Sequence, residues 1–336
     1  MKAVGYYQPL PIDNPESLQD IELPAPAAGP RDLLVRVKAV SVNPVDTKVR
    51  KNAAPEAGQA KVLGWDAVGT VEAVGSGVRN FKIGDRVYYA GSIIRPGANA
   101  ELHAVDERIA ALAPKSLDDA QAAALPLTTI TAYELLFDRL RVPKDGGEGQ
   151  TLLITGGAGG VGSILIQLAR QLTRLRVVAT ASRAETREWC LALGAHTVID
   201  HSKPLAAELK AAGIGEVDMV ASLTQTEQHY AQIIESLKPQ GQLAVIDDMK
   251  VLDAMPLKTK CISLHWEMMF TRSRFETPDI AEQGALLAEV AALVDAGRIR
   301  TTANASFGTI NAANLKKAHA LIESGKAQGK VVLAGF

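Results

Sequence analysis

The residues best suited to chemistry in this 336-residue chain are three glycines, Gly157, Gly159 and Gly162. They are spaced as G-x-G-x-x-G within residues 151–163, TLLITGGAGGVGS. In such a pattern the first glycine permits a tight turn and the second lets a pyrophosphate approach the backbone. The third lets a helix pack closely on its strand. The pattern has meaning only between a strand and a helix. Both flanks are present. A β-branched and leucine run covers 151–155, and apolar Val161, Ile164, Leu165, Leu168 and Leu172 recur at helical spacing. The start of that helix, at Gly160 and Val161, would offer free N–H groups and a positive partial charge to phosphates. A bound dinucleotide is the functional reading; a ligand-free glycine turn is the plain one.

Which dinucleotide is decided about twenty residues further on. An acid there accepts bonds from the ribose 2′-hydroxyl and marks NAD. Here the second strand ends in Thr180-Ala181-Ser182-Arg183, and the first acid, Glu185, already lies in the next helix. A carboxylate would repel a 2′-phosphate, whereas a serine hydroxyl and a guanidinium bind one with charge-assisted hydrogen bonds. The cofactor predicted is NADPH, held by Ser182 and Arg183. The alternative leaves Arg183 as a solvated residue at a helix start. His201, just past the strand at 197–199, is a further candidate for the adenosine end, or a surface histidine.

These residues need elements to position them. Residues 1–110 read as short strands with glycine turns: 33–42 alternates with Val35, Val37 and Ala39 on one face, followed by 69–77 and 84–89. Gly75 and Gly77 precede no helical pattern and read as a hairpin turn. From about residue 117 helices and strands alternate. Helices are predicted at 118–125, 129–140, from 161, at 185–193 and at 230–237, the last stopped by Lys238-Pro239 and Gly241. Strands are predicted at 151–155, 176–181, 197–199, 219–222, 243–246 and within 260–269. Helices at 281–296 and 312–324 and a strand at 330–333 complete the chain. Such alternation implies a parallel sheet with helices on both faces.

Composition sets limits. The chain is 47% hydrophobic and 22% charged, which suits a globular protein with a sizeable core, and its length suits two domains. Basic and acidic residues nearly balance, 36 against 37, with no basic block, which argues against nucleic acid or an acidic membrane as partner. Two cysteines, Cys190 and Cys261, make no framework and fit a reducing cytoplasm. Residues 1–10 lack the pattern of a signal peptide, and no apolar run is long enough for a membrane span.

The chain resembles the medium-chain dehydrogenase/reductase superfamily over nearly its whole length. The resemblance rests on Asn43-Pro44-Val45-Asp46, Gly64-Trp65-Asp66 with Val68-Gly69, and Gly84-Asp85-Arg86-Val87. It continues in Leu125-Pro126-Leu127 with Thr131-Ala132, the loop 158–162, Leu193-Gly194-Ala195 and Gly329-Lys330-Val331-Val332. Within the superfamily it is most similar to the zeta-crystallin-like branch of quinone oxidoreductases and enone or alkenal reductases. Residues 265–274, HWEMMFTRSR, resemble a bacterial subgroup labelled zinc-type alcohol dehydrogenase-like. The resemblance implies an α/β chain: a GroES-like β-barrel domain at 1–125 and 270–336, and a Rossmann doubly wound parallel sheet at 126–269. It implies an active site in the cleft between them and a homodimer or homotetramer.

The alcohol-dehydrogenase branch of this superfamily holds a catalytic zinc. Its cysteine position reads Asn43 here, and its Gly-His-Glu stretch reads Gly64-Trp65-Asp66. An amide and an indole cannot replace a thiolate and an imidazole. His265 and Glu267 could share a strand face, but two residues do not make a metal site. No metal is expected.

Without a Lewis acid, alkoxide formation loses its usual support. An electron-poor quinone or α,β-unsaturated carbonyl needs less help, because hydride can go to an electrophilic carbon while donors hold the enolate charge. The resemblance implies three catalytic candidates. Asn43 would lie near nicotinamide and substrate, or serve as a turn residue before Pro44. Lys48 stands where many quinone oxidoreductases carry tyrosine and enone reductases often carry lysine; it could polarise a carbonyl or be simply solvated. Trp65 would wall the substrate pocket or pack the core. Asp66 is expected to bond within its domain, Arg50 to be structural or at the cleft rim, and Thr131 to touch the nicotinamide side or sit inside a helix. Three functions follow: an NADPH-dependent reductase of enones or quinones, a non-catalytic NADPH-binding sensor or structural protein, and a zinc-dependent alcohol dehydrogenase.

Overall fold

Period-two burial organises the first part of the chain. The computed structural model describes residues 1–336. Strands β1 (Lys2–Tyr6), β2 (Gln19–Glu22) and β3 (Asp32–Val42) come first. Helix α1 (Pro44–Asn52) precedes β4 (Lys61–Val62), β5 (Ala67–Val74), β6 (Arg86–Tyr89), β7 (Leu102–Asp106) and β8 (Ala110–Leu112). Along β3 the buried residues Leu33, Val35 and Val37 alternate with the more exposed Leu34, Arg36 and Lys38, which defines one core face. Helices α2 (Asp119–Ala123) and α3 (Pro126–Tyr133) follow.

A second pattern then takes over: β9 (Thr151–Ile154), α4 (Gly160–Leu172), β10 (Arg176–Thr180), α5 (Ala184–Ala192) and β11 (Thr197–Ile199). It continues with α6 (Leu205–Ala211), β12 (Val217–Ser222), α7 (Thr226–Ser236), β13 (Leu237–Val245), α8 (Met255–Lys258) and β14 (Ser263–Trp266). The last elements are α9 (Thr271–Phe275), α10 (Glu282–Asp295), β15 (Ala303–Ser306), α11 (Ala312–Glu323) and β16 (Lys330–Ala334).

The elements form two compact units, residues 1–130 with 270–336, and residues 131–269. In the first, seven strands form one sheet in the order β15-β16-β3-β5-β6-β8, with β7 also paired to β3. Strand β16 runs antiparallel to β3, Val331 opposite Val42, so the C-terminal segment completes this sheet. Register shifts leave Glu72 as an extra residue on β5 and Lys38 as an extra residue on β3, and such bulges add the twist a curved sheet needs.

In the second unit six parallel strands are ordered β11-β10-β9-β12-β13-β14. The chain runs outward from β9 in one direction, then from β12 in the other. Right-handed crossovers in opposite directions place helices on both faces, and the reversal between β9 and β12 creates a crevice at the strand carboxyl ends. Leu153, Val178, Val220, Leu243 and Val245 fill one core layer with Ile233 and Leu237.

Three predicted elements differ. The helix expected at 129–140 is α3 followed by a π-turn, Glu134–Arg139, marked by the i→i−5 bond from Leu140 N–H to Leu135 O at 2.9 Å. Apolar spacing cannot separate a π-turn from an α-turn over so few residues. The helix expected at 230–237 starts earlier, at Thr226, and Lys238-Pro239 does not lead into a loop. Instead β13 begins at Leu237 and bulges: Val217 pairs with Leu237, but Met219 pairs with Gln242. The extra residues are absorbed where Gln240 takes a left-handed φ of 63°. Helix α6 carried no clear signal at sequence level and is real.

Candidate active site

The glycine loop connects β9 to α4 at the carboxyl edge of the parallel sheet. The tight turn is made by Gly156, not Gly157, because Gly156 alone in the loop has a left-handed φ, 66°. Gly157 is required for closeness: a Cβ there would lie 2.7 Å from Ala179 Cβ on β10. Gly162 is more restricted still. Its Cβ would fall 2.5 Å from Gly156 O and 2.6 Å from Gly157 O, so the helix packs on its own loop rather than on the strand. Gly159 is the N-cap, and a Cβ there would meet only Gly156 O at 3.4 Å. The first helical bond runs from Ser163 N–H to Gly159 O at 2.9 Å. The N–H groups of Gly160, Val161 and Gly162 therefore have no acceptor one turn back, as at any helix start. Bare backbone, oriented donors and the helix dipole together fit a pyrophosphate. The loop is braced from below: Gly156 N–H donates to Thr180 Oγ1 at 3.1 Å and Gly157 N–H to Thr180 O at 3.2 Å.

The neighbouring strand ends bring the other cofactor candidates to the same edge. Strand β10 pairs with both β9 and β11, and Thr180 stands opposite Ile199. Ser182 and His201 thus follow adjacent strands by two residues each. Arg183 is the N-cap of α5, and its Nε lies 3.0 Å from Glu185 Oε1. His201 is half-buried, with its ring 6.2 Å from that of His229 in an edge-on arrangement. Burial, and then the charge of His201, hold His229 below the usual histidine range. Thr131 is buried in α3, three residues before the π-turn.

The catalytic candidates belong to the first unit. Asn43 opens α1 and is 1% exposed. Its backbone N–H donates to Asp46 Oδ2 at 2.7 Å. Its side chain is oriented by charge on both sides: Lys330 Nζ donates to Oδ1, and Nδ2 donates to Asp66 Oδ2 at 2.7 Å. Asp66 also accepts from Ser41 Oγ at 2.7 Å, Leu127 N–H at 2.7 Å and Lys330 Nζ at 3.0 Å. Lys330 completes its valence on Val42 O at 3.2 Å. A buried ion pair whose three ammonium protons and both carboxylate oxygens have partners is the arrangement that burial of charge demands. Asp46, also fully buried, is pushed up to about 7 by that burial. Trp65 is buried, donates through Nε1 to Ser92 O at 3.1 Å and meets the edge of Phe270 at 6.0 Å. Lys48 is on the exposed side of α1, and Arg50 is fully buried with Leu10 O and the Glu323 carboxylate as partners, which makes it structural.

These side chains do not fit zinc. The indole nitrogen is a donor already used, the amide is held between an ammonium and a carboxylate, and Lys330 places a positive charge where a dication would have to sit. No group of three or more His, Cys, Asp or Glu is placed to hold a metal ion.

Sequence reasoning missed one cluster in the second unit. Arg139 Nε donates to Glu267 Oε2 at 2.7 Å, and its guanidinium is 3.9 Å from Glu134 Oε2. Both carboxyl groups are fully buried. Burial first, and the charge of Glu134 second, push Glu267 up to about 9. No periodicity marks this trio, since its members are brought together by a π-turn and a strand end.

Residues 29–115 match the alcohol dehydrogenase GroES-like domain, and residues 193–333 match the zinc-binding dehydrogenase family. A zinc-type alcohol dehydrogenase-like protein of Staphylococcus aureus is 39% identical over 339 residues, 99% of each chain. A shorter stretch, 51% of this chain and 45% of the relative, is 41% identical to 2-methylene-furan-3-one reductase of Solanum lycopersicum. Among solved structures, a putative zinc-dependent alcohol dehydrogenase of Rhizobium etli is 59% identical, with a TM-score of 0.97 over 100% of this chain and 98% of that one. The quinone oxidoreductase of Escherichia coli, solved with NADPH, is 25% identical, with a TM-score of 0.83 over 99% of this chain and 100% of that one. The names that mention zinc meet here a donor set that does not fit that ion, while the fold and the glycine loop match those of the relatives. The chain belongs to the medium-chain dehydrogenase/reductase superfamily, in its quinone oxidoreductase branch, and is an NAD(P)-dependent oxidoreductase.

Proposed function

We propose that the protein is an NADPH-dependent reductase of quinones or α,β-unsaturated carbonyls that works without a metal. The observation that carries this reading is the pairing of a bare, donor-rich glycine loop with an adjacent strand end, Ser182-Arg183, that lacks a carboxylate. Gly157, Gly159, Gly160, Val161 and Gly162 hold the pyrophosphate. Ser182, Arg183 and His201 recognise the phosphorylated ribose, and Thr131 contacts the nicotinamide side. When bound, the reduced cofactor supplies a hydride to an electrophilic carbon.

The enolate oxygen that results needs a hydrogen-bond donor. Asn43 is oriented for donation rather than acceptance, because Lys330 occupies its oxygen and leaves the second Nδ2 hydrogen. Lys48 offers an ammonium, which favours enones over large quinones. Trp65 gives an apolar wall. The Solanum relative is named for an enone and the Escherichia coli neighbour for a quinone, and both substrate classes are electron-poor acceptors of the same hydride.

The test follows the absorbance of reduced nicotinamide with a panel of enones and quinones. Oxidation of NADPH in preference to NADH, insensitive to chelators, is expected. Tight NADPH binding without turnover on any acceptor would make the protein a sensor. One zinc per chain with chelator-sensitive activity would make it an alcohol dehydrogenase.

A further inference from the structure

Glu267 lies one residue past the carboxyl end of β14, and its backbone N–H donates to Val245 O on β13 at 2.9 Å. Its Oε2 accepts from Arg139. Its other oxygen, Oε1, is buried and meets no N–H or O–H of another group. The carboxyl group beside it is that of Glu134, equally buried and drawn to the same Arg139 guanidinium. Two ionised carboxylates in contact would set lone pair against lone pair in a place without water. That is the costliest kind of buried polar contact. One proton resolves it, because a protonated oxygen becomes a donor and the facing carboxylate an acceptor.

We propose that Glu267 is kept as a neutral carboxylic acid that donates from Oε1 to the Glu134 carboxylate, so that Glu134, Arg139 and Glu267 form a proton-dependent clasp between the π-turn and the end of β14. The clasp has three joints: Arg139 Nε to Glu267 Oε2, the shared proton, and the charge contact between Arg139 and Glu134. The charges that act on Glu267 are those of Glu134 and Arg139. On the same strand, His265 is held below the usual histidine range by burial and then by Arg141 and Arg139, so it stays neutral and adds no positive charge. The pKa of Glu267, pushed up to about 9 chiefly by burial, agrees with the geometry. Loss of the proton to solvent breaks one O–H bond, leaves two carboxylates facing one guanidinium and opens the middle joint. The π-turn begins three residues after Thr131, so alkaline opening loosens a segment the reductase needs, although the clasp itself does not rest on the reductase reading.

The experiment compares the full chain with Glu267→Gln by infrared spectroscopy across pH. A protonated carboxyl band, absent from Glu267→Gln, is expected at neutral pH and should fade with a midpoint near 9. Asp46, pushed up to about 7, is told apart from it because its band survives in the variant. Absence of any band that Glu267→Gln removes, in folded protein at neutral pH, overturns the proposal. Stability gives a second readout. A glutamate raised from about 4.5 to about 9 on folding contributes stability fully below 4.5 and loses it as pH rises to 9. The melting temperature of wild type should therefore fall through that window relative to Glu267→Gln, whose amide can donate to Glu134 at any pH. Parallel curves overturn the clasp. Should Glu267→Gln not fold, Glu134→Gln takes its place: removing the facing charge should move the fading of the Glu267 band at least one pH unit lower, and an unmoved midpoint overturns the proposal. Failure of these tests leaves NADPH turnover untouched, and the reverse holds too.

Discussion

The Lys330 ammonium lies 3.0 Å from the Asp66 carboxylate, and neither side chain is more than 3% exposed. Removing one partner of a buried pair strands the other charge. Lys330→Met should cost about 3–5 kcal/mol. The double variant Lys330→Met/Asp66→Asn should recover part of that loss. Urea midpoints of wild type, Lys330→Met, Asp66→Asn and the double variant measure it; additive losses would show that the two residues act independently.

Cofactor choice should follow Arg183. Its contact with Glu185 is between two exposed side chains and is worth roughly 0–1 kcal/mol, so the guanidinium can turn to a phosphate at little cost. Arg183→Asp should weaken NADPH roughly tenfold to a hundredfold while NADH changes little. Titration of both nucleotides by fluorescence decides; an unchanged ratio of affinities sinks the assignment.

Gly162 has no room for a methyl group. Gly162→Ala drives a Cβ against the carbonyl oxygens of Gly156 and Gly157, so the loop must move. Affinity for reduced nucleotide should drop at least roughly tenfold, equivalent to about 1.4 kcal/mol. Calorimetric titration of the variant against wild type is the check, and retained affinity would mean that no phosphate rests on this loop.

Acid should act through His103. Its Nε2 is 2.9 Å from Pro96 O, which can only accept, so Nε2 carries the proton and Nδ1 accepts from Tyr89 at 3.1 Å. Burial pushes this imidazole down to about 4. A depressed base contributes stability fully above its unfolded value, near 6.5, and loses it as pH falls toward 4. The loss is roughly 3 kcal/mol. Denaturation at pH 7 and at pH 4.5 should show a smaller drop for His103→Gln than for wild type; equal drops would place the acid sensitivity elsewhere.

Local periodicity made much of the fold legible. Strands β9 to β12 and helices α4 and α5 could be read because parallel strands are continuous apolar runs and helices repeat every 3.6 residues. The glycine loop was legible as a ligand cradle, yet the division of labour within it was not. The letters do not say that Gly156 takes the left-handed turn while Gly157 makes room for Ala179. Lys330 and Asp66 are 264 residues apart, and no spacing rule joins them. Asn43 could be named from resemblance, but its orientation is set by those two distant charges. The π-turn was hidden because Leu135, Leu136 and Leu140 suit either kind of helix.

The order in which the chain is made gives the return of β16 to β3 a cost in time. Residues 131–269 are contiguous, and their sheet can assemble as soon as they have emerged from a ribosome. The other unit is split, and its central strand waits for a neighbour almost three hundred residues downstream. Until that neighbour arrives, Asp66 has no counter-ion and β3 keeps an open edge. A nascent chain is therefore exposed to mispairing longest at its earliest-made half.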